Sequence, residues 1–432
     1  MIMNKQILKI AIPSIVSNIT VPLCTMVDTI IVGHLGDAAY IGAIAVGGLL
    51  FNMAYWLFGF LRMGTSGLTA QAFGEKDEAK TLHVLLRSLS VAFAISFFLI
   101  VLQKPLLHTA FLFIKATPEI RSYASIYYNV LIWGAPAVLS TYSLMGWFLG
   151  MQNARLPMMI AITQNVVNIL ASIFFVFALR LKVEGVALGT LVAQYVGVAL
   201  ALVIGCRKYR WSVSRVEWGS VYRRAELMRF LHVNRDIFFR TLCIIAVTTY
   251  FTSAGSAQGE MVLAANTLLM QFFVIFSYFM DGFAYAGEAI GGRCYGEKSI
   301  ERFSRLTKVL FGWGGGTALV FLLIYVTTGK GLLHVFTDNP QVVLQAEEYL
   351  LFVWMIPVVS FAAFLLDGLY IGTTSTRQML VSVLISTIVF FVVVLLFNMR
   401  NDMLWTAFLL YLGSRGMMQF VLFKNVKKKF SV

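Results

Sequence analysis

The chain has 432 residues, of which 59% are hydrophobic and only 12% charged. A soluble domain is about 45–50% apolar and about a quarter charged, so this composition excludes a soluble enzyme, a disordered chain and a secreted disulfide scaffold. The formal net charge of +14 then concerns membrane topology more than nucleic acid.

Each spanning helix takes roughly 20 apolar residues, which leaves room for twelve with short connections. A spanning barrel needs strands of alternating polarity, whereas Ser88–Val101 and Ser382–Phe397 are apolar runs without that alternation. Lys5 and Lys9 precede an apolar run with no small-residue cleavage site, so the run reads as the first span and not as a signal peptide. Runs bounded by charge, Gly and Pro predict helices over 7–33, 41–72, 84–103, 126–150, 157–179 and 185–206. Six more follow over 235–254, 261–292, 306–327, 347–371, 378–398 and 403–423. The predicted fold class is therefore all-α and polytopic, with twelve helices in two lobes.

Assigning connections alternately to two sides sorts the 34 Lys and Arg. One side, with both termini, takes 25; the other takes Lys104, Lys115, Arg121, Arg180, Lys182, Lys330 and Arg400; Arg62 and Arg240 fall inside helices. The positive-inside rule then places both termini in the cytoplasm of an inner-membrane protein. The basic segment from Arg207 to Arg235 divides the chain into a first lobe at 1–206, a linker at 207–233 and a second lobe at 234–432. Its plain reading is a topology-fixing loop, although basic juxtamembrane runs also attract anionic lipid.

The halves repeat. Ala72-Phe73-Gly74-Glu75-Lys76 recurs as Cys294-Tyr295-Gly296-Glu297-Lys298, and Trp133-Gly-Ala-Pro136 recurs as Trp354-Met-Ile-Pro357, at offsets of 222 and 221. Six helices return the chain to its starting side, so the lobes share one orientation, the parallel-repeat plan of many secondary transporters.

Phosphate-loop, HExxH and metal-spaced Cys/His patterns are absent from the sequence, so no cofactor and no metal is expected. Cys24, Cys206, Cys243 and Cys294 are scattered, without a CxxC pair, and read as packing residues. The five histidines, at 34, 83, 108, 232 and 334, are isolated near helix ends. Interest falls on ionisable groups at membrane depth, which are costly and normally face a cavity or a partner.

In the first half these are Asp28 and Arg62; in the second, Asp236, Arg240, Asp281, Glu288 and Asp367. Asp28 lies fifteen residues after Pro13 on a helix that Pro13 and Pro22 can bend. An apolar setting favours the neutral form of a carboxyl. Asp28 is thus the candidate for a proton-coupled switch, with a permanent Asp28–Arg62 ion pair as the structural alternative. Asp236 and Arg240, one turn apart, are expected to neutralise each other. Asp281, Glu288 and Asp367 have no local basic partner and are candidates for a sodium site or substrate contacts. Asn165, Asn168 and Ser172 form a polar stripe on one helix face, and Thr190, Gln194 and Tyr195 add to the first-half cavity. Ordinary interhelical hydrogen bonding is the alternative for the stripe.

The run Pro13 to Gly36 with Val27-Asp28-Thr29, Leu61-Arg62-Met63 before Gly67-Leu-Thr-Ala-Gln-Ala-Phe-Gly74, Asn234-Arg235-Asp236, Asp281-Gly-Phe-Ala-Tyr285 and Leu366-Asp367-Gly368 resemble the multidrug and toxic compound extrusion (MATE) family, in its DNA-damage-inducible protein F (DinF) branch. The resemblance implies two six-helix lobes in a V and cation-coupled export of amphipathic, often cationic, compounds. It also implies that Asp28 is the proton site and that Pro13 lies where helix 1 bends. Asn168 and Thr190 fall where relatives carry first-lobe polar residues, and Ser172 stands where many have a second aspartate. The expected partners are the lipid bilayer and small amphipathic substrates, with no nucleic acid, and the expected state is a monomer driven by a proton gradient. A sodium-coupled antiporter and a lipid-precursor flippase of related architecture are the competing readings. The flippase would need a broad basic cavity, while the predicted interior holds only Arg62 and Arg240.

Overall fold

The computed structural model describes residues 2–33, 38–114, 117–211, 216–397 and 400–430. His34, Gly36, Lys115 and Arg215 lie outside these, as does the side chain of Cys24. In chain order the helices are α1 (Ile2–Gly33), α2 (Ala38–Leu57), α3 (Phe60–Gly74), α4 (Glu78–Val101), α5 (Gln103–Phe113), α6 (Pro118–Leu131), α7 (Ala135–Gly150), α8 (Arg155–Ile173) and α9 (Val183–Tyr209). They continue as α10 (Trp218–Val221), α11 (Arg224–Ala257), α12 (Glu260–Gly296), α13 (Ile300–Phe336), α14 (Pro340–Glu347), α15 (Leu350–Gly372), α16 (Thr376–Leu396) and α17 (Asn401–Lys428).

Among the described residues, 11 helical runs are long and apolar enough to cross a membrane. At 32 residues, α1 also has the length of a span. Each of the twelve expected helices has its counterpart here. Many large apolar side chains stay on the outside, Phe97, Phe98 and Leu395 among them. Surface of that kind belongs against lipid. The protein is an all-α, multi-pass membrane protein.

Packing divides the chain into two compact units. One comprises Val16–Ala72 and Lys76–Leu231; the other comprises Met1–Ile15, Phe73–Glu75 and His232–Val432. The division falls inside α1, two residues after Pro13, and inside α11. The helical backbone nevertheless continues through α1, although Pro13 and Pro22 have no amide to donate.

The sequence repeat is also a repeat of local geometry. In the first unit Gly146 and Gly150 of α7 lie against the backbone of Arg62 and Ser66 on α3; in the second, Gly368 and Gly372 of α15 lie against that of Ala284 and Glu288 on α12. All four pairs of equivalent positions differ by 222. A Cβ at any of these glycines would collide with main-chain atoms, so small residues set the helix separation. The turns repeat as well. Gln152 and Thr374 adopt left-handed φ of 63° and 49°, and Lys76 and Lys298 adopt 61° and 54°. Each turn closes with an amide reaching five residues back, as in Asn153 N–H to the Phe148 carbonyl at 3.0 Å and Ser375 N–H to that of Tyr370 at 2.8 Å. These are Schellman-type helix stops. At Pro136 the first half diverges from the second. Pro136 has no amide to donate, and the Ala135 N–H caps the Ile132 carbonyl in a short 3₁₀ turn. Pro357 stays inside a continuous α15.

Candidate coupling and substrate site

Asp28 sits near the end of α1 and is 8% exposed. The side chain of Asn168 on α8 faces it within hydrogen-bonding reach. Asn168 Nδ2 also donates to Thr190 Oγ1 of α9 at 2.8 Å, and that hydroxyl donates to the Val186 carbonyl at 3.1 Å. One turn earlier on α8, Asn165 Nδ2 donates to the Thr20 carbonyl of α1 at 2.9 Å. Asn168 thus links Asp28 of α1 to Thr190 of α9, and Asn165 ties α8 to α1 eight residues before Asp28. The carboxylate Oδ1 is buried and has no hydrogen-bond partner. It offers an acceptor to a proton or to a donor on a bound compound.

The other expected first-half residues lie apart from this chain of contacts. Ser172 is fully buried, its hydroxyl unpartnered, where α8 presses on Gly189 of α9. That close approach leaves no room for a longer side chain on the Gly189 side. Gln194 Oε1 is buried over Gly134 without a hydrogen-bond partner. Tyr195 is exposed, and its hydroxyl donates to the Trp133 carbonyl at 2.8 Å. Among the described residues no ion pair joins Asp28 to Arg62, which is half-buried on α3.

In the second half the expected pairing is corrected. Arg240 does not neutralise Asp236; Arg240 Nη2 reaches across to Asp367 on α15. Asp367 is also held by Arg415 and Gln419 of α17. The carboxylate that local sequence left without a base therefore has two, brought by helices 127 and 48 residues distant. Asp236 pairs instead with its neighbour Arg235 at 3.0 Å and accepts from Thr376 Oγ1 at 3.0 Å. Arg415, counted by sequence with the basic end of the chain, is buried in the middle of α17. The interior thus holds more cations than Arg62 and Arg240. The missed signal was an Arg and a Gln four apart in an apolar run, which places them on one helix face. Asp281 is half-buried on α12, within electrostatic reach of Arg415. Glu288, seven residues on, is buried where α12 meets Gly372 of α15.

The MatE family matches residues 13–174 and 237–396. The chain belongs to the MatE family. A MatE protein is a transporter, not an enzyme. The first matched segment carries Asp28, Asn165, Asn168 and Ser172; the second carries Arg240 and Asp367; Thr190, the basic linker, Arg415 and Gln419 lie outside both.

Among similar proteins, the DNA damage-inducible protein F of Escherichia coli K12 is 31% identical over 420 residues, covering 96% of this chain and 90% of that one. The probable multidrug resistance protein NorM of Thermotoga maritima is 24% identical over 364 residues, covering 79% and 74%. The crystal structure of a MATE in the bent conformation superposes with a TM-score of 0.86 at 17% identity, covering 100% of this MatE chain and 97% of the other.

Proposed function

We propose that this MatE transporter is a proton-coupled antiporter that exports hydrophobic or cationic amphipathic compounds, with Asp28 as the coupling carboxyl. Efflux is supported by the names its relatives carry, which include multidrug resistance protein NorM and multidrug and toxin extrusion protein 1. The coupling site rests on one observation: Asp28 is buried with an unused carboxylate oxygen, opposite the neutral amide of Asn168. A carboxyl without a fixed counter-cation changes charge when it takes a proton, and its hydrogen bonding to Asn168 changes with it. Substrate and proton then act on one site, because a ligand shifts an equilibrium only by its differential affinity for two states.

The engaged state of Asp367 weighs against sodium in the second half. Two guanidinium groups already neutralise that carboxylate. A cation there would have to displace them. In this reading the first lobe carries the coupling site, both termini face the cytoplasm of the inner membrane, and the unit of transport is a monomer.

Proteoliposome export under an imposed proton gradient tests the assignment. Asp28→Asn is expected to reduce export to background at any sodium concentration, while wild-type protein exports equally with and without sodium. Wild-type rates from Asp28→Asn would reject Asp28, and a sodium requirement would reject the proton.

A further inference from the structure

Part of the basic linker packs against α3 and α4. Val221 of α10 is fully buried against α4, and its carbonyl accepts from Arg87 Nε at 3.0 Å. Tyr222 shares a hydrogen bond with Ser90 Oγ at 2.7 Å. At the start of α11, Arg229 Nη2 donates to Gln71 Oε1 of α3 at 2.6 Å, and Phe230 is buried with Leu68 and Val84. This fixed segment borders an open pocket of about 230 Å³ against the first turns of α4.

Lys80, His83, Arg87 and Arg223 line the pocket, with Ser220 and Glu226. Arg87 is only 2% exposed. Its Nε is used on Val221, and its Nη1 stands 4.0 Å from Glu226, beyond hydrogen-bond length. A guanidinium carries five donors in a planar fork suited to two oxygens of one anion. Asp77, also at the rim, is committed as the cap of α4, accepting from the Lys80 amide at 2.9 Å. Beside the pocket, the rings of Trp218 and Tyr222 stack at 6.3 Å between centroids. Both are about half exposed, at 49% and 48%. Exposed Trp and Tyr flanked by Arg223 and Arg224 are what a chain presents to a membrane interface, and basic pockets at such a level take lipid head groups.

We infer that the pocket between α4 and the linker binds the phosphate of an anionic phospholipid head group. Inorganic phosphate shares the chemistry but makes no use of the aromatic pair. The inference stands apart from the transport reading, since none of its residues touches Asp28.

Native mass spectrometry of the purified full chain with phosphatidylglycerol, phosphatidylcholine or inorganic phosphate separates the cases. The wild type is expected to retain phosphatidylglycerol over phosphatidylcholine. The double variant Lys80→Gln/Arg223→Gln, which leaves the Arg87–Val221 contact in place, is expected to bind phosphatidylglycerol about tenfold more weakly at unchanged thermal stability. Trp218→Ala is expected to weaken the lipid and leave phosphate binding unaltered. Equal retention of phosphatidylglycerol by wild type and double variant would overturn the site, and phosphate binding without lipid selectivity would overturn the lipid.

Discussion

Asp28 and Asp367 are both carboxylates buried in apolar helices, and they have opposite surroundings. Asp28 faces a neutral amide and keeps one oxygen without a hydrogen-bond partner. Asp367 is gripped by Arg240, Arg415 and Gln419. The difference teaches that burial alone does not fix what a carboxylate does; its polar neighbours do. Asp367 ties three helices together through its ion pairs, whereas Asp28, with an amide opposite, is under the proposed function the acid that changes charge.

The sharpest way to break this comparison is to neutralise each acid in turn and follow stability. Asp367→Asn leaves two buried guanidiniums without their counter-ion and is expected to cost about 3–5 kcal/mol, read as a large drop in the thermal transition of the detergent-solubilised protein. Asp28→Asn is expected to move that transition little. The reverse ranking would show that Asp28 is the structural anion.

A smaller effect sharpens the comparison on the transport side. Asn168→Ala removes the amide opposite Asp28 and its bond to Thr190, a loss of about 0.5–1.5 kcal/mol for a hydrogen bond. Export under a fixed proton gradient is expected to fall about two- to tenfold. Tyr195→Phe removes a hydroxyl spent on the Trp133 carbonyl and is expected to leave export unchanged. Equal effects from the two would place the working polar residues elsewhere in the cavity.

Apolar runs bounded by charge, Gly and Pro located the spanning helices, because a span must satisfy its own backbone and its apolar length is fixed by the bilayer. The repeat was legible too. Gly146 and Gly368, 222 residues apart, occupy matching contacts because the glycines that admit a neighbouring backbone cannot vary without moving the helix. Asp28 stood out as an acid in an apolar run, and the polar stripe on α8 pointed at Asn165 and Asn168. The second-half pairing was not legible, since Arg240 and Asp236 are neighbours in sequence while the carboxylate that Arg240 meets comes from α15. Spacing along one helix cannot choose between a partner one turn away and one brought by tertiary packing. Nor could spacing reveal that the linker, read as a topology-fixing loop, is tied to α4 through Arg87.

Proton release on substrate binding tests the central claim most directly. In weakly buffered detergent solution, adding a transported amphipathic cation to wild-type protein is expected to release protons in proportion to occupancy. Asp367→Asn, measured at a temperature where it remains folded, is expected to do the same, and Asp28→Asn to release none while still binding the compound. Undiminished release from the Asp28→Asn protein would contradict the account.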